Sequence, residues 1–85
     1  MLKQDMRIVS QRHTLNLPYN LISVFKYKSK IYARTITGRE YVLGTYSTEE
    51  KAEYIFGQIL CWSQNTYFNY FELPKDEKVD LSNLD

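Results

Sequence analysis

Eighty-five residues with a net charge of +1 make one small domain with a thin core, and a single cysteine excludes a scaffold stapled by internal disulfides. No apolar run nears the roughly 20 residues of a bilayer span, and residues 1–6 lack the apolar stretch of a secretory signal, so the chain reads as cytoplasmic with no membrane contact. Residues 1–46 hold eight Lys/Arg against two acids, and residues 47–85 hold three Lys against eight acids, a split that polarises the surface.

Residues 1–5 read as a frayed extension, and Met6 to Ser10 alternates in the period-two manner of a short strand. Gln11 to Thr14 is polar and turn-like. Leu15 to Asn20 contains Pro18, which removes a backbone donor and favours an extended Leu17, so Leu17 and Tyr19 are expected as loop anchors beneath a sheet. From Leu21 to Lys28, Val24, Phe25 and Tyr27 suit a pleated surface, and Ser29-Lys30 suits a hairpin connection. The next strand, residues 31–37, places Tyr32, Arg34 and Ile36 on one face. Gly38-Arg39 supplies a turn with Gly38 free to take positive φ, and residues 40–46 run as a third strand in strict alternation.

Ser47-Thr48-Glu49-Glu50 marks the switch to helix. Ser47 is predicted as the N-cap, with Glu50 reaching back to close a capping box. The helix is expected from Thr48 to about Asn65, with Ala52, Ile55, Phe56, Ile59 and Ser63 in one stripe and Leu60 and Trp62 on its shoulders. Residues 67–73 alternate as a final aromatic strand returning along the sheet. Pro74 ends it, and residues 75–85 are charged, lack aromatics and are expected as a disordered acidic tail. The fold class is therefore α+β: an antiparallel meander of about four strands with one amphipathic helix packed on it, all within a single domain of residues 6–74.

Groups for catalysis are sparse. His13 is the only histidine and falls in a polar turn, and Cys61 has no other imidazole to activate it. Glu49, Glu50 and Glu53 are explained by a helix start, where negative charge offsets the macrodipole, and no glycine loop suits a phosphate. No enzyme activity, cofactor or metal is expected. Two surfaces stand out instead. Tyr54, Cys61 and Trp62 fall on or beside the outer helix face, which is aromatic and poor in charge, as protein interfaces often are. Lys26, Lys28, Lys30, Arg34 and Arg39, interleaved with Tyr27 and Tyr32, give residues 26–39 the cations and stacking rings of a single-stranded nucleic-acid binder.

Four segments, Arg7-Ile8-Val9-Ser10-Gln11, Leu17-Pro18-Tyr19, Tyr46 to Ala52, and Phe71-Glu72-Leu73-Pro74, resemble a group of small uncharacterised proteins of phages, prophages and mobile elements of Gram-positive bacteria. The resemblance runs from Arg7 to Val79. It departs at Gln11 to Thr14, where a tighter acidic or glycine-containing turn is usual, and in the residues before Met6, which leave Met1 and Met6 as alternative starts. It implies an accessory protein of a mobile element and carries no functional residues with it. Together these readings give a non-enzymatic interaction module, binding a host protein or a second copy of itself as a homodimer. Single-stranded nucleic-acid binding through residues 26–39 is the alternative.

Overall fold

Side chains alternate across a strand, so a register of pairs assigns every residue to a face. In the computed structural model, which describes residues 6–64 and 69–81, β3 (Ile22–Tyr27), β4 (Lys30–Thr35) and β5 (Glu40–Thr45) pair antiparallel in that order. The pairs Val24↔Ala33 and Lys26↔Ile31 lie on the core side, with Ile31 and Ala33 wholly buried. The pairs Phe25↔Tyr32 and Tyr27↔Lys30 therefore lie on the opposite side. The β3–β4 turn bends through Lys28 in a left-handed conformation, φ 56°, and the β4–β5 turn through Gly38 at φ 92°.

Strict alternation fails once, in β5. Ile31 pairs with Gly44 and Tyr32 with Val42, so Leu43 is the extra residue of a β-bulge. Leu43 and Gly44 are consequently both buried, whereas the sequence pattern puts them on opposite faces. Gly44 has little room for anything larger: a Cβ there would stand 2.9 Å from Leu73 Cδ2 and 3.1 Å from Tyr46 Cε2.

The helix α1 (Glu49–Ser63) packs on this sheet. Its cap is one residue later than the sequence suggests. Thr48 is the extended N-cap residue, and its hydroxyl accepts from the Lys51 N–H at 3.1 Å. With Thr48 as cap the third helical position is Lys51, so the expected box between Ser47 and Glu50 does not close. The Ser47 N–H is instead held at 2.8 Å by the Asp76 carboxylate, and the Lys51 ammonium donates to the Asp76 carbonyl at 3.1 Å. Glu49 and Glu50 occupy the first turn, and Glu49 pairs with Lys26 at 3.6 Å.

The buried stripe is Ala52, Ile55, Ile59 and Trp62. It is rotated towards Trp62 relative to the expected one: Phe56 and Ser63 are half-buried and Leu60 is exposed. The cause is a second sheet at that end of the helix. β1 (Arg7–Val9) lies between β2 (Asn16–Pro18), antiparallel to it, and β6 (Tyr70–Glu72), parallel to it. Residues 16–18 thus form an edge strand, where Pro18 is tolerated, rather than the loop expected there. The row Leu17–Ile8–Phe71 points inward, and Trp62 packs edge-on against Tyr19 at 5.0 Å and tilted against Phe71 at 5.7 Å.

Two residues of the first strand's exit join the pieces. The buried Ser10 hydroxyl accepts from the N–H groups of Thr14 and Leu15, both at 3.1 Å, and so shapes the β1–β2 turn. Gln11 caps the edge of β5: its carbonyl oxygen accepts from the Thr45 N–H at 3.0 Å, and its amide donates to the Thr45 and Pro74 carbonyls.

The stretch after β6, expected as a disordered tail, is packed as far as Leu81. A 3₁₀ turn spans Asp76–Lys78, Val79 is buried, and Leu81 lies against the core. The Tyr46 hydroxyl donates to the Pro74 carbonyl at 2.8 Å, and burial, reinforced by the nearby Asp76 charge, pushes its pKa up. Residues 1–5, Asn65 and residues 67–68 of the expected elements, and residues 82–85, lie outside the described residues.

Candidate functional site

α1 covers one face of β3–β4–β5 and leaves the other to solvent, and the register decides what that outer face contains. Phe25 and Tyr32, directly opposite each other, stack with ring centroids 5.2 Å apart and planes within 10° of parallel. The Arg34 guanidinium sits 5.0 Å from the Phe25 centroid, and its fork is engaged by Glu40 through Nε at 2.9 Å and through Nη2. Tyr27 follows on the same face, 59% exposed, with the Lys28 ammonium 5.5 Å from its ring. Lys30 stands across from Tyr27, and Val42 lies beside Tyr32. Among the described residues, neither Lys28 nor Lys30 has an acidic partner.

Of the residues the sequence suggested for nucleic acid, Tyr27, Lys30, Tyr32 and Arg34 share this face, with Lys28 at its end. Lys26 does not. Its side chain points to the core side, where it pairs with Glu49 and donates to the Lys28 carbonyl at 3.0 Å. An inward charge on an edge strand also discourages edge-to-edge pairing. Arg39 lies in the β4–β5 turn, at the opposite end of strands of about 20 Å from Lys28, so the two belong to different ends of the surface. Phe25 and Val42 were missed. Phe25 was recoverable, because it sits two residues before Tyr27 and must share its face; Val42 was not, because the bulge sets its phase.

The helix patch is not brought together as a surface. Trp62 is buried in the joint between helix and second sheet, so it presents no ring to a partner. The indole N–H has no hydrogen-bond acceptor among the described residues. Tyr54 is half-buried against the core, and its hydroxyl accepts from the Gln58 amide at 2.8 Å. Cys61 alone of the three is exposed.

His13, expected as a solvated loop residue, adopts a left-handed backbone, φ 61°, and its imidazole contacts the Glu72 carboxylate of β6. Among the described residues no three His, Cys, Asp or Glu gather as a metal site, and no helix is long and apolar enough to cross a membrane. The chain matches no protein-family model, no curated protein and no solved structure.

Proposed function

We propose that the chain binds single-stranded nucleic acid on the outer face of β3–β4–β5. The observation that carries this reading is the Phe25–Tyr32 stack on a sheet face that the helix leaves open, with Tyr27, Lys28 and Lys30 beside it. Every base has a π-face, so rings on a sheet accept bases without reading sequence, and each stacked base is worth about 1–3 kcal/mol. Lysines at the margin supply the phosphate contacts that give affinity and make it fall with salt. Arg34 is held over Phe25 by Glu40 and acts here as a brace for the ring rather than as a free cation. The proposal is one of binding, with no reaction attached.

Fluorescence anisotropy of a labelled oligo-dT of about 12 nucleotides, at low and high salt, tests it. Salt-sensitive binding by the native chain that Y32A and K30E each weaken is the expected result. No binding at low salt, or binding that Y32A leaves untouched, overturns it.

A second reading, the protein-interaction module or homodimer, draws on a different end of the same sheet. Ile36 is 87% exposed and Leu21 53% exposed, on either side of a shallow cleft near the β4–β5 turn. Static light scattering of the native chain and of I36D measures self-association directly. A concentration-dependent dimer that I36D dissolves favours this reading, and a monomer throughout removes the homodimer.

A further inference from the structure

The outer face does not end at Lys30. Lys30 and Val42, both on that face, are also walls of a cleft of about 370 Å³ between the β1–β2 turn and β5. The opposite wall is the turn itself, with Arg12 and Thr14. Among the described residues no carboxylate lines the cleft. Its floor is fixed, because the Gln11 side chain spends its carbonyl oxygen on the Thr45 N–H and its amide on the Thr45 and Pro74 carbonyls. Arg12 has no acidic partner among the described residues.

Beyond Arg12 the charge becomes mixed. The adjoining cleft shares Gln11, Arg12 and Thr45 and is walled by Lys75, Asp76 and Glu77. The Asp76 carboxylate, bonded to the Ser47 N–H and beside the Lys51 ammonium, stays charged well into acid. A polyanion leaving the rings past Lys30 therefore meets cations up to Arg12 and a wall of mixed charge after it.

We infer that a bound single strand continues from the Phe25–Tyr32 face into the cleft beside β5, where Lys30 and Arg12 hold consecutive stretches of its phosphate backbone. This inference rests on the nucleic-acid reading above and adds to it an exit path and a cation outside residues 26–39. A free small anion is a poor fit, because both cations are on open walls and gain from a ligand long enough to touch both and stack as well.

Oligo-dT probes of about 4 and about 12 nucleotides separate the two claims. R12A, on an exposed turn residue, is expected to leave the short probe's affinity unchanged, to weaken the long probe several-fold at low salt, and to lower the slope of log affinity against log salt by about 0.7, the share of one phosphate on a single strand. R12K is expected to restore the slope. If Y32A weakens both probes while R12A changes neither, the cleft carries no strand and the inference fails with the sheet face intact. If the native chain binds neither probe at low salt, both claims fall together.

Discussion

The two faces of β3–β4–β5 are built from the same three strands and differ in what their large side chains touch. The inner face buries Ile31, Ala33 and Leu43 and turns the Lys26 ammonium to Glu49 at the helix start. The outer face carries bigger rings, Phe25, Tyr27 and Tyr32, which no described helix or strand packs over, and they are kept by one another, by Arg34 and by lysines. Ring content alone therefore says little about burial. Trp62 has the largest ring and is in the core, while Tyr27 stands mostly in water. What separates them is register: a residue's place is settled by the strand or helix phase it occupies and by what packs across from it.

That contrast can be broken at several points. The largest effect belongs to Trp62. W62A is expected to cost about 3–5 kcal/mol in urea unfolding, and W62F much less, because the indole N–H has no partner to lose. A neutral W62A would mean that the joint between helix and second sheet is not core. Next comes Gly44, where a methyl group meets Leu73 and the Tyr46 ring. G44A is expected to cost about 1–3 kcal/mol by overpacking, seen as a lowered Tm with the outer-face binding retained at temperatures below it.

Asp76 sharpens the comparison through pH. Its folded pKa lies below the ordinary carboxylate value because the charged form accepts the Ser47 N–H and neighbours Lys51. Its stabilisation is therefore fully present above about pH 4 and is lost as pH falls through the depressed value. D76N should lower the urea midpoint at neutral pH, with the gap to the native chain closing in acid. A gap that holds constant into acid contradicts the contact. The smallest effect on stability is expected from Y32A, under about 1.5 kcal/mol for loss of one half-exposed ring pair, even as oligonucleotide anisotropy collapses. A large stability loss there would make the outer stack a structural element rather than a binding one.

Much of this arrangement is legible in the residues. The meander follows from period-two runs punctuated by Gly38, and the helix from its acidic start and apolar spacing, because these signals are local. The outer face is half-legible: Tyr27, Lys30, Tyr32 and Arg34 announce themselves, and alternation between Phe25 and Tyr27 already turns Lys26 the other way, as its pairing with Ile31 shows. What escaped were consequences of distant contacts. Asp76 supplies from 29 residues away a bond to the helix start that Glu50 was expected to make, and the second sheet rotates the buried stripe onto Trp62. The bulge at Leu43 has Gly44 as its one local sign, and a lone strand glycine does not say which residue is the extra one. Val79 is buried within a stretch whose composition reads as solvated tail.

The parallel pairing of β1 with β6 has a consequence in time. Ile8 cannot meet Phe71 until residue 71 has been made, whereas β3, β4 and β5 are complete by Thr45 and pair with near neighbours. The meander is thus the piece that closes early, and the first strand waits with only the two-stranded β1–β2 hairpin, marginal by itself, for company. A nascent chain passes through an interval in which the open sheet face already exists and the domain does not.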